Sequence, residues 1–120
     1  MTVPLILIVD NNRSDLEQLA RQLAEEEYET LGVSNLDEMD SAIETNKNIK
    51  LILLYLAGFD DSIWERCDRM HEVGIPFIAI MPQRSPGIQR ESMKHGANGL
   101  LVQPLGIKEL VEHIHAALGD

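Results

Sequence analysis

Short apolar runs alternate with stretches whose apolar positions recur every three or four residues, and the alternation repeats five times along the chain. Leu5-Ile6-Leu7-Ile8-Val9 is apolar at every position, the pattern of a strand buried on both faces of a parallel sheet. Ser14-Asp15-Leu16-Glu17 then has the form of a capping box, and the helix it opens places Leu16, Leu19, Ala20, Leu23 and Ala24 on one face. Glu25-Glu26-Glu27 reads as its solvated end. Glu29 to Val33 is a second strand, and Ser34 and Asp37 open a second helix with Leu36, Met39, Ala42 and Ile43 inward. Ile49 to Leu56 is the third strand. Asp60, Asp61 and Ser62 cap a helix on which Ile63, Trp64, Cys67, Met70 and Val73 recur at helical spacing, and Gly74 stops it. Pro76 to Ile80 is the fourth strand, Gly87 to His95 a short helix ended by Gly96, and Gly99 to Val102 the fifth strand. Ile107 to Leu118 is the last helix, with Leu110, Val111, Ile114 and Leu118 inward.

Strand followed by helix, over and over, predicts an α/β fold with an open parallel sheet covered on both faces. Right-handed crossovers make this a doubly wound three-layer sandwich. A ligand site in such a fold lies at the carboxyl ends of the strands, near the point where the strand order reverses. The residues there are Asp10-Asn11, Tyr55-Leu56, Met81-Pro82 and Gln103-Pro104.

Composition narrows the picture in a few respects. A chain of 120 residues fits one domain, taken here as residues 1–120. Aromatics are only 4% of it, so aliphatic side chains must fill the core. A net charge of -10 with no clustered Lys/Arg stripe argues against nucleic acid and anionic membrane as partners. No apolar run approaches the roughly 20 residues of a membrane span, and no leader pattern precedes the first strand. The single cysteine, Cys67, has no internal disulfide partner and sits on an apolar helix face, which fits a cytoplasmic protein. His71, His95, His113 and His115 lack metal-ligand spacing and are expected on the surface.

Three segments carry a resemblance to the response-regulator receiver domain (CheY-like), and it extends over nearly the whole chain. Ile6-Leu7-Ile8-Val9-Asp10 resembles that family's first strand and its acidic end. Gly74-Ile75-Pro76-Phe77-Ile78-Ala79-Ile80 resembles the fourth strand, and Gly96-Ala97-Asn98-Gly99-Leu100-Leu101-Val102-Gln103-Pro104-Leu105 the fifth strand and the turn after it. The resemblance implies a five-stranded sheet in the order 2-1-3-4-5 and a cis peptide bond before Pro104. It also implies a phosphorylation pocket, and here the chain departs from the family. The acceptor aspartate is Tyr55, the second metal-binding acid is Asn11, the hydroxyl residue after the fourth strand is Met81, the pairing lysine is Gln103, and the switch aromatic is Leu100. The loop after the acceptor is reduced to Leu56-Ala57-Gly58-Phe59.

Each replacement removes a piece of chemistry. A phenol does not form the acyl phosphate that a carboxylate forms. Magnesium wants hard anionic oxygens in an octahedron, so Asp10 alone is a weak anchor and magnesium binding is expected to be lost or very weak. Met81 donates no hydrogen bond to a phosphoryl oxygen, and Gln103 brings no charge to offset one. Carboxylates and lysine disappear together, which avoids both repelling acids and a stranded cation. Tyr55 is expected to pack with Met81 and to hydrogen-bond Asn11 or Gln103.

The expected function is therefore that of a pseudo-receiver, a phosphorylation-independent interaction module without catalytic residues, metal or cofactor. Its partner is a sensor kinase, an output domain or a second copy of itself as a homodimer. The family's output surface spans roughly residues 88–118 here, with Arg90, Glu91, Lys94, His95, Lys108, Glu109 and Glu112 as its exposed candidates. One alternative is a phosphorelay receiver with Asp10 or Asp60 as an unusual acceptor. Another is a small-molecule binder whose strand-end crevice is apolar around Tyr55, Met81 and Leu100. An open pocket favours the last; a Tyr55 ring that fills it counts against it.

Overall fold

A computed structural model describes residues 4–119. The strands are β1 (Leu5–Val9), β2 (Glu29–Val33), β3 (Ile49–Tyr55), β4 (Phe77–Met81) and β5 (Gly99–Val102). The helices are α1 (Arg13–Glu25), α2 (Leu36–Thr45), α3 (Ile63–Val73), α4 (Pro86–Lys94) and α5 (Ile107–Leu118). All strand pairs are parallel and the order across the sheet is β2-β1-β3-β4-β5, as expected. The central strands are apolar throughout because both of their faces are covered: Ile6 to Val9 and Leu51 to Leu54 are 0% exposed. At the edge, only Val33 of β2 is buried.

Alternate side chains along each strand feed two separate cores. Leu7, Val9, Ile52, Leu54, Phe77, Ala79 and Met81 pack under α2, α3 and α4. Ile6, Ile8, Leu51, Leu53, Tyr55, Ile78 and Ile80 pack under α1 and α5. Cys67 is fully buried in the first of these cores, acting there as a small apolar residue. Burying a Leu or Ile side chain is worth about 1.5–3 kcal/mol, so the strand sequences alone supply most of the drive to this sandwich.

The helix starts differ from expectation. Asn12, not Ser14, caps α1, its side chain accepting from the Asp15 amide at 3.1 Å. Asn35 rather than Ser34 caps α2, accepting from the Glu38 amide at 2.8 Å. Glu38 reaches back to the Ser34 amide at 2.9 Å, which holds its carboxyl below the usual range. This resembles a capping box, except that Glu38 takes the amide of the residue before the cap rather than that of Asn35 itself. Asp60 binds the Ser62 amide and hydroxyl, at 3.0 and 2.5 Å, as a turn ahead of α3 rather than a cap on it. Gly74 ends α3 in the left-handed region at φ 80, as predicted. Ala24 and Val73, placed on inward faces by periodicity, are exposed, Val73 at 59%.

Candidate functional site at the carboxyl end of the sheet

Strand β1 ends by delivering Asp10 to the top of the sheet, only 7% exposed. One carboxylate oxygen accepts the Asn12 amide at 3.1 Å. Burial raises its pKa above the ordinary 3.8, a rise countered in part by that amide. Ionising Asp10 therefore works against folding: stability from this group is highest below the ordinary value and falls as pH rises through the raised one. Asn11 is exposed and its amide lies on the loop after β3, where Gly58 (φ 84) leaves it room. A Cβ at Gly58 would stand 1.9 Å from Asn11 Nδ2, and the positive φ would strain any other residue there as well.

Tyr55 is the last residue of β3, paired with Ile80 and 9% exposed. Its side chain lies on the α1/α5 side of the sheet, and no protein group among the described residues hydrogen-bonds its hydroxyl. The expected bonds to Asn11 and Gln103 are not formed. Burial, with smaller contributions from the charges of Asp10 and Asp15, pushes its pKa up to about 12, so the phenol stays neutral across the physiological range.

The expected packing of Tyr55 with Met81 is also corrected. Register pairs Tyr55 with Ile80, so Met81, one residue on, points to the opposite face and joins the α2/α3/α4 core, 1% exposed. Leu100 packs on that same opposite face. The apolar crevice expected around Tyr55, Met81 and Leu100 does not form, because the sheet separates its members. Gln103 is exposed and anchored through its backbone, its amide donating to the Met81 carbonyl at 2.9 Å; the Gln103–Pro104 bond is cis, as the resemblance implied.

What lies beside Tyr55 is a polar, open crevice of about 410 Å³ between α1 and α5. Asp10, Asp15, Gln18, Gln22, Tyr55 and Gln103 form its polar wall. Leu19, Leu105, Ile107 and Leu110 form the apolar one. The three α1 residues were missed from sequence. Asp15, Gln18 and Gln22 follow a three-then-four spacing along one helix edge, but polar residues at such an edge ordinarily face water. Asp60 and Asp61 line a different crevice, with Trp64, Ser85 and Ile88 between α3 and α4, so no single pocket joins them to Asp10.

Receiver-type folds imply a magnesium ion beside the end of β1. The donors here do not suit one. Asp10 is the only carboxylate among Asp10, Asn11, Tyr55, Met81 and Gln103, and one of its oxygens is engaged by the Asn12 amide. The Asn11 amide is turned onto Gly58, and the Tyr55 phenol is neutral. Among the described residues no three His, Cys, Asp or Glu side chains are grouped to hold a metal.

On the face formed by α4, β5 and α5, Arg90, Lys94, Lys108, Glu109 and Glu112 are exposed as expected, and Met93 adds an apolar side chain 56% exposed. His95 departs from its expected place on the surface. Its side chain is 19% exposed, with Nδ1 2.6 Å from Asp68 and Nε2 3.3 Å from Glu91. The ring stacks on Trp64 with centroids 5.6 Å apart, which fastens the end of α4 to α3 and leaves Glu91 half-buried. Among the described residues no helix is long and apolar enough to cross a membrane.

No protein-family model matches the chain. It is 23% identical over 113 residues to the response regulator protein GraR of Staphylococcus epidermidis, an alignment covering 92% of this chain and 50% of GraR. The chain thus spans about half the length of the curated relatives it matches. A CheY-like receiver domain protein from Methanospirillum hungatei superposes with a TM-score of 0.89 at 24% identity, covering 98% of this chain and 95% of that one. A two-component response regulator from Clostridium difficile gives 0.87 at 23% identity, covering 97% and 96%. Strand order, helix placement and these superpositions agree: the chain has the CheY-like, flavodoxin-type α/β fold.

Proposed function

We propose that this chain is a receiver domain in two-component signalling that no longer takes up a phosphoryl group and works by protein contact. The observation that carries the reading is Tyr55: a neutral, buried phenol ends β3 where a receiver needs a carboxylate. The rest of the pocket agrees with it. Met81 points away from the site, Gln103 supplies no cation, and Asn11 stands where a receiver has the acid adjacent to Asp10. Solved structures it resembles include a CheY-like receiver domain protein and a two-component response regulator, and GraR, about twice as long, is a response regulator also. The partner is a sensor kinase, an output domain or a second copy of the chain, met on the face that carries Arg90, Lys94, Lys108, Glu109 and Glu112.

An amide NMR titration with magnesium, then with magnesium and beryllofluoride as an acyl-phosphate mimic, tests this. The expected result is that Asp10, Asn11, Tyr55, Met81 and Gln103 hold their positions at millimolar magnesium and after the mimic is added. Saturable shifts at these residues, followed by shifts through α4 and β5, would mean a working phosphoryl switch and would overturn the proposal.

A further inference from the structure

The crevice between α1 and α5 has features that the loss of phosphoryl chemistry does not explain. Tyr55, 9% exposed, lines this crevice, and no described protein group hydrogen-bonds its hydroxyl. Asp10, 7% exposed, lines it too, with a single amide bound to one of its two oxygens. Asp15 adds a second carboxylate to the same wall, and no Lys, Arg or His faces it. A cleft lined by one sign of charge with low-dielectric walls concentrates ions of the other sign. Opposite the acids, Leu19, Leu105 and Ile107 offer an apolar surface. The volume, about 410 Å³, falls in the lower part of the range of small-molecule sites.

We infer that this crevice binds a small organic cation: a primary ammonium seated between Asp10, Asp15 and the Tyr55 hydroxyl, on a short apolar stem lying over Leu105 and Ile107. An ammonium has three donors and no acceptor, which matches two carboxylates and a phenol oxygen. An anion would meet both acids, and a neutral alcohol would leave them uncompensated. The inference goes beyond the loss of phosphorylation: it shares Asp10 and Tyr55 with that pocket but uses the α1/α5 side of the sheet and needs neither magnesium nor a phosphoryl mimic.

The test is an amide NMR titration of the full chain with n-butylammonium, n-butanol and butyrate, without magnesium or beryllofluoride. Butylammonium is expected to shift the Asp10, Asp15, Tyr55, Gln103 and Leu105 amides saturably, with butanol weaker and butyrate silent. Asp10→Asn and Asp15→Asn are each expected to weaken butylammonium about three- to tenfold, the scale of losing one partly screened charge pair. Tyr55→Phe, which keeps the ring, is expected to weaken it by about two- to tenfold. Asp15 is an exposed helix residue, so its variant reports even if changes at Asp10 or Tyr55 disturb folding. Equal binding of butanol or butyrate, shifts unchanged in Asp15→Asn, or no saturable shift at tens of millimolar butylammonium would each overturn the inference.

Discussion

Replacing Tyr55 by aspartate is expected to destabilise the chain by about 3–5 kcal/mol and to leave it unable to accept a phosphoryl group. The ring is 9% exposed and packs in the core under α1 and α5, so a side chain of half its size leaves a void. The new carboxylate would also stand near Asp10, whose own ionisation burial already disfavours, and like charges at close range raise one another's pKa. That second penalty applies only to ionised acids, so it is largest at neutral pH and shrinks as pH falls through the raised carboxyl values. Urea unfolding of both proteins at neutral and mildly acidic pH separates the void from the charge. Chemistry does not return with the carboxylate, because Gln103 still offers no cation and Met81 still faces the other core. Incubation with acetyl phosphate and magnesium, read by intact mass, should show no phosphoryl adduct. A variant as stable as the parent that takes up phosphate would mean the pocket had kept its working shape.

Phe77→Ala is expected to have an effect of the same size, about 3–5 kcal/mol, against a total stability of about 5–15 kcal/mol for a domain of this kind. Phe77 is 0% exposed and heads the largest fully buried side chains. In a chain with two phenylalanines and one tryptophan, aliphatic neighbours are left to close the gap. Asn98 grips the same residue by its backbone, its side-chain oxygen accepting the Phe77 amide at 3.1 Å and its own amide donating to the Phe77 carbonyl at 2.9 Å. The start of β4 is thereby held while the core beside it empties, which limits collapse into the void. Chemical denaturation should show a lower midpoint. A loss below about 1.5 kcal/mol, the scale of a volume-conserving swap, would mean that the α2/α3/α4 core repacks freely.

The fold was legible because its signals are local and redundant. Strands apolar at every position, such as Leu5–Val9 and Phe77–Met81, have few alternatives to the middle of a parallel sheet. Helix caps were less legible, since Asn12 and Ser14 both suit the role and the choice between them depends on how many residues the chain needs to leave β1. The identities of the strand-end residues were readable, but the face each occupies was not. Whether Tyr55 and Met81 meet depends on the pairing of β3 with β4, and a register that sets Tyr55 beside Ile80 sends Met81 to the other core. The crevice wall was hidden for a related reason. Asp15, Gln18 and Gln22 look like any solvated helix edge until α5 is placed beside them.

The seam where His95 lies flat on Trp64 has a consequence for watching this protein at work. The chain contains one tryptophan, and it stands where α4 meets α3. Indole emission is sensitive to a stacked imidazole and to water reaching the ring. A partner that grips α4 and shifts it against α3 must disturb that stack, along with the contacts of His95 to Asp68 and Glu91. Intrinsic fluorescence, with no label attached, therefore reads the spacing between α3 and α4, the helix that carries Arg90 and Lys94 of the proposed contact face.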